Sequence, residues 1–178
     1  MEELHELKQC LARERPAKWE ELPDIPLYMD QVVSYLARQM ITFDEGDNLT
    51  SAMINNYVKD GLLERANGKK YGEEHLAYLI AISALKKVMS VREMKALTAI
   101  GRERRNSDRQ YECFWQYLDE ALTATAERID PETTDHDLPK LVLELATRSY
   151  VEGLACRRLL AIMAERDGHA DLLSGKKK

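Results

Sequence analysis

The sequence predicts a mainly α protein, and three observations carry that expectation. Apolar residues recur at intervals of three and four in one segment after another. Alternating strand patterns are almost absent outside a single Asn-Gly turn. Hydrophobic content of 44% with 32% charged residues describes a globular chain, and five Pro and eight Gly are too few for long linkers. At 178 residues there is room for one or two small domains with real cores.

The first element is an amphipathic helix over residues 2–15, with Leu4, Leu7, Cys10 and Leu11 on one face, ending before Pro16. Residues 18–25 hold Trp19, Leu22 and Pro23 and read as an ordered linker. Pro26 suits the first turn of a second helix, which runs to about Met40 with Val32, Val33, Leu36 and Met40 inward. Residues 43–48 are acidic and turn-like.

The organising stretch follows, from Leu49 to Leu97. Thr50 is a good N-cap, and Gly61 suits the left-handed residue that ends a helix. Between them Met53, Ile54, Tyr57 and Val58 make an apolar face and leave Asn55, Asn56 and Lys59 for the other side. Asn67-Gly68 signals a tight turn, followed at once by Lys69, Lys70 and Tyr71. A longer helix over about 72–89 carries Leu76, Leu79, Ile80, Ile82, Leu85 and Val88 as its stripe. Ser90 with Glu93 forms a capping box that opens a short helix carrying Val91, Met94 and Leu97.

Residues 101–109 read as a basic connector, or as a helix end with a cap at Ser107 or Asp108. Tyr111, Phe114, Trp115, Leu118 and Leu122 then repeat at helical spacing to about Ile129. Pro131 to Asp137 is the clearest break, and a long helix follows over 138–165. Gly153 is tolerable inside it at a close helix contact. Residues 168–178 read as a frayed tail.

The order in the central stretch resembles a known family. A short helix ending in Gly61-Leu62-Leu63, a basic Asn67-Gly68 turn, Tyr71, an acidic helix start, a long apolar helix and a capped helix are similar to the winged helix-turn-helix of MerR-type bacterial regulators. Tyr57, Gly61, Leu62 and Leu63 fall on the end of that family's recognition helix, and Asn67, Gly68, Lys69 and Tyr71 on its wing. Met53-Ile54-Asn55-Asn56-Tyr57, with Leu27-Tyr28-Met29-Asp30-Gln31 upstream, also resembles a bacterial family catalogued as domain of unknown function 1836, thought to hold MerR-like regulators. The resemblance covers about residues 22–100. It implies a MerR-like winged helix-turn-helix over 22–105, preceded by the helix and linker of 1–21 and followed by a helical region over 106–178 for dimerisation or effector sensing. The chain departs from the MerR pattern at Ala52 and Asn55, where arginine is usual, and at Asn56, where a second tyrosine is usual. The stretch between the two helices, 41–48, is longer than the usual turn.

The resemblance implies a DNA-binding transcriptional regulator with double-stranded DNA as partner. Thr50, Ser51, Asn55, Asn56, Tyr57 and Lys59 would then lie toward the major groove, and Lys69, Lys70 and Tyr71 would reach phosphates from the wing. Asparagine pairs with adenine through its acceptor and donor together. Asn55 and Asn56 point about 100° apart on a helix, so at most one faces a base squarely and the other a phosphate or its own helix end; otherwise the pair is a solvated helix face. Tyr57 reaches phosphate or is core; the lysines hold phosphate or form an ordinary solvated turn. Charge distribution agrees with a local DNA unit. Residues 1–49 carry 5 Lys and Arg against 11 Asp and Glu, residues 50–109 carry 12 against 7, and residues 110–178 carry 9 against 13.

Other classes have less behind them. A protein-interaction module would keep the fold and use the acidic helical half, in line with the net charge of −5. An enzyme or metal site has only Asp135-His136-Asp137, where Asp137 is a natural N-cap. No phosphate-cradling glycine loop or hydrolase motif is present, so no catalytic residue, cofactor or metal is expected. Tyr111, Phe114 and Trp115 would line a ligand pocket or form core, and a small-molecule effector is one possible partner. The widely spaced Cys10, Cys113 and Cys156, a charged N-terminus without a secretory pattern and the lack of a membrane-length apolar run point to the cytoplasm. A recognition helix covers few base pairs, so a two-fold homodimer is expected. It would be built mainly from residues 110–165, with the helix over 111–129 packed antiparallel beside that over 138–165.

Overall fold

A computed structural model describes residues 2–43 and 45–174. The chain is mainly helical. In order it forms α1 (Glu2–Arg13), β1 (Leu27–Tyr28), α2 (Met29–Leu36), α3 (Ser51–Lys59), β2 (Lys70–Tyr71), α4 (Glu73–Leu85), α5 (Val91–Arg104), α6 (Ser107–Arg128), α7 (Leu138–Arg166) and α8 (Ala170–Ser174). Short 3-10 turns occupy Trp19–Glu21 and Glu45–Asp47.

The core is centred on α4. Leu76, Ala77, Leu79, Ile80 and Ile82 are all buried, so this helix is apolar on more than one face and must be covered from several sides. Val32 and Leu36 of α2, Ile54 and Tyr57 of α3, and Met94, Ala96 and Ile100 of α5 join the same core. Ser90 starts α5 as the capping box requires: its N–H donates to Glu93 Oε2 at 2.7 Å, and its Oγ accepts from the Glu93 N–H at 3.3 Å.

Residues 16 and 17 tie α6 to the end of α2. Trp115 Nε1 donates to the Pro16 carbonyl at 2.8 Å, and the Tyr111 hydroxyl donates to the Ala17 carbonyl at 2.6 Å. The Ala17 N–H donates to Gln39 Oε1 at 2.9 Å, just beyond α2. α1 then lies along α6, held by Arg15 to Asp119 at 2.5 Å and by Lys8 Nζ to the Ile129 carbonyl at 2.8 Å.

Several expectations are corrected. Pro26 does not open α2: Leu27 and Tyr28 are extended and pair antiparallel with Tyr71 and Lys70, so the helix starts at Met29. Its start is held by Gln31 Oε1, which accepts from the Tyr28 N–H at 2.9 Å. Val88 lies past the end of α4 and is exposed. Of the two readings of the stretch after Ile100 the helix end holds, since α5 continues to Arg104; α6 starts at Ser107, with Asn106 and not Ser107 or Asp108 at its N-cap position. Asp137 occupies the N-cap position of α7 without capping through its side chain; that carboxylate takes Lys140 and Thr134 instead, which hold it below the usual carboxylate range. The tail expected to fray contains α8, packed on α5 and α7, while 175–178 lie outside the described residues. Most consequentially, α6 packs on α1 and α4, and α7 does not lie along it as an antiparallel partner.

Among the described residues no helix is long and apolar enough to cross a membrane.

Burial, helped by nearby Tyr35 and Glu21, pushes the Tyr111 phenol well above its ordinary 10.0. An unfolded tyrosine ionises near that ordinary value while the folded one resists, so this contribution is whole below about pH 10 and is lost as pH rises beyond it. Tyr111→Phe should cost about 1 kcal/mol at neutral pH through the lost bond to Ala17, and should reduce the alkaline loss of stability. Urea unfolding on both sides of that range checks this; an identical alkaline loss in the two proteins contradicts it.

Candidate nucleic-acid interface

α3 is short and sharply bounded. Thr50 Oγ1 accepts from the Met53 N–H at 3.3 Å. At the other end Gly61 adopts φ +71°, and the Leu62 and Leu63 N–H groups both return to the Tyr57 carbonyl, at 2.9 and 3.2 Å. Lys95 of α5 donates to the Asp60 carbonyl at 2.9 Å, placing a cation where the helix dipole is negative. Leu62 and Leu63 are buried, so the chain leaving α3 is fixed in the core.

The inward side of α3 is Ile54 and Tyr57, with Met53 and Val58 half-buried beside them. The outward side is Ala52, Asn55, Asn56 and Lys59, all exposed, with Thr50 and Ser51 exposed at the start. The Asn55 and Asn56 amides make no side-chain hydrogen bond among the described residues. Lys59 has no carboxylate partner there either. Two amides and one ammonium on a rigid helix, all uncommitted, can donate to and accept from a polar surface.

The turn after α3 closes between Asn67 and Lys70, whose backbones exchange two hydrogen bonds of 3.0 Å. Gly68 and Lys69 are its central residues, with φ of +56° and +68°, the pair of positive angles of a type I′ turn. Asn67 therefore stands before the turn centre, and Lys69 takes the second left-handed position. Lys69 is exposed and has no carboxylate partner among the described residues. Lys70 is exposed too, with its ammonium 5.0 Å from the centroid of the half-exposed Tyr28 ring, a cation–π contact.

Two candidate tyrosines fall elsewhere. Tyr57 and Tyr71 are each only 6% exposed, and burial raises both phenols. Their rings are core, and neither belongs to the outward surface. The exposed candidates are thus Thr50, Ser51, Asn55, Asn56 and Lys59 on α3, and Lys69 and Lys70 on the turn.

Sequence reasoning missed two residues. Tyr28 carries the Lys70 contact through the β1–β2 pairing. His75 braces the base of the turn: Nδ1 accepts from the Gly72 N–H at 3.3 Å, Nε2 lies 3.4 Å from the Arg65 carbonyl, and the ring stands edge-on to Tyr71 at 5.5 Å. Its place three residues after Gly72 is the capping-box spacing and was the available signal.

Lys69 sets up a stability test. A left-handed residue with a Cβ is strained, so Lys69→Gly should raise stability by about 0.5–1 kcal/mol despite the greater freedom of glycine when unfolded. Gly68→Ala should lower it by a similar amount or more. Thermal and urea unfolding check both; a destabilised Lys69→Gly would show that the ammonium or its stem contributes more than the strain costs.

A family model described as Domain of unknown function (DUF1836) matches residues 17–118, from the linker through α2–α5 to the middle of α6. No curated protein and no solved structure matches the chain. With more than half of its length covered by that match, the chain belongs to the DUF1836 family.

Proposed function

We propose that this protein is a DNA-binding transcriptional regulator whose central region works as a MerR-like winged helix-turn-helix. In this reading α2 is the supporting helix, α3 enters the major groove, and the 67–70 turn is the wing. The observation that carries it is the outward side of α3, where Asn55, Asn56 and Lys59 are exposed and uncommitted on a helix capped and anchored at both ends. Asn55 or Asn56 would read an adenine edge, and Lys69 and Lys70 would hold phosphates. The long connection from α2 to α3 differs from a tight helix-turn-helix turn. Here it is tied to α4, with Lys86 Nζ donating to the Asp47 carbonyl at 2.6 Å and Lys87 pairing with the Asp47 carboxylate. In this reading the ties of Lys86 and Lys87 to Asp47 help to position α3 in place of a short turn. The regulator would act as a homodimer reading two half-sites.

A second reading, a protein-interaction module, has the exposed leucines of α7 behind it.

Selection of bound sequences from a random duplex library tests the first reading. An enriched motif is expected, with affinity falling steeply as salt rises. Asn55→Ala should relax preference at one position, at a cost of about 1–3 kcal/mol for the preferred base. Lys69→Ala combined with Lys70→Ala should weaken all sequences alike and flatten the salt slope. If no duplex is bound above background at about 50 mM salt, the regulator reading fails and the interaction module replaces it.

A further inference from the structure

Two apolar features lack a partner among the described residues, one convex and one concave. The first is convex. α7 runs for 29 residues, but only Leu160 and Ala164 near its end are buried. Before them Val142, Leu143, Tyr150, Val151, Leu154 and Leu159 are between 53% and 67% exposed. Six large apolar side chains on one helix are thus left in water.

The second feature is concave. α4, α5 and α6 enclose an open groove of about 510 Å³. Its α4 side carries Ala77, Ala81 and Ala84, and Leu97, Phe114 and Tyr117 line it from α5 and α6. Leu97 and Tyr117 remain exposed, so no described segment of this chain fills it.

We infer that α7 of one copy docks in the α4–α5–α6 groove of a second copy, and reciprocally, in a two-fold dimer. The distribution of apolar side chains around α7 favours a groove over a single facing helix. At about 100° per residue, Val142, Val151 and Leu159 point in three different directions. One facing helix covers a stripe of about 100°, whereas a three-helix groove wraps more of the circumference. The size also suffices. At roughly 60–120 Å² for each such side chain, the area that a burial gain of about 1.5–3 kcal/mol at about 25 cal/mol per Å² implies, six side chains offer roughly 500 Å². Presenting them twice, with the grooves that receive them, reaches the 1,200–2,000 Å² or so of specific interfaces. Reciprocal docking closes on itself, so the assembly stops at two. This inference deepens the dimer part of the proposed function and is independent of DNA binding, so its test uses no DNA.

The experiment is sedimentation velocity on the full chain at tens of micromolar. Leu154→Asp alters the helix and Tyr117→Glu the groove; both side chains are exposed in the protomer, and circular dichroism verifies that the variants stay helical. Val151→Asp is a second helix-side variant in case the first unfolds. Wild type should be a dimer, and each variant alone a monomer. An equal mixture of the two should recover dimer, weaker than wild type, because a mixed pair keeps one intact helix and one intact groove. A monomeric wild type overturns the inference. So does a Tyr117→Glu protein that still dimerises while Leu154→Asp does not, which would mean helix pairing with helix. A mixture that stays monomeric also overturns it.

Discussion

The constraint on which this structure depends is the covering of α4. A helix with Leu76, Ala77, Leu79, Ile80 and Ile82 all buried cannot sit at a surface with one face in water. Burying a large aliphatic side chain contributes about 1.5–3 kcal/mol, so each uncovered side carries a cost. α2, β2 and α6 each pack on it. The hydrogen bonds from Trp115 and Tyr111 to the Pro16 and Ala17 carbonyls hold α6 in register with the linker. Where the covering stops, along Ala81 and Ala84, the groove begins. The inferred dimer is the continuation of the same requirement by a second copy.

The candidate interface follows from that core by subtraction. Ile54 and Tyr57 fasten α3 from below, Leu62 and Leu63 fasten the chain leaving it, and Tyr71 fastens the far side of the turn. What remains outside is Asn55, Asn56, Lys59, Lys69 and Lys70, all exposed. A rigid scaffold under uncommitted polar groups suits recognition, because little side-chain ordering beyond the contacting groups is needed on binding. The left-handed Lys69 fits this picture: the turn holds a strained residue whose ammonium is directed outward.

Local chemistry was legible in the sequence; partnership at a distance was not. The Thr50 cap, the Gly61 terminus and the Ser90–Glu93 box are short-range signals, and each stands as read. The β1–β2 pair was hidden because two residues carry no alternation, and its partner lies more than forty positions away. A tyrosine suits either a core or a wet edge, so Tyr57 reads as a contact residue or as core and Tyr71 as a contact residue; their burial decides for the core in both. For α7, helical periodicity cannot say which surface the apolar residues meet. α1, and not α7, lies along α6, with Arg15 and Lys8 reaching Asp119 and the Ile129 carbonyl.

The most direct test of the central claim is hydrogen exchange of the full chain, read peptide by peptide by mass spectrometry, with and without a duplex carrying its selected sequence. The account predicts added protection concentrated at residues 50–60 and 65–72, where α3 and the turn would meet DNA, with residues 138–159 unchanged. Protection confined to 138–159, with none at 50–60, would contradict it.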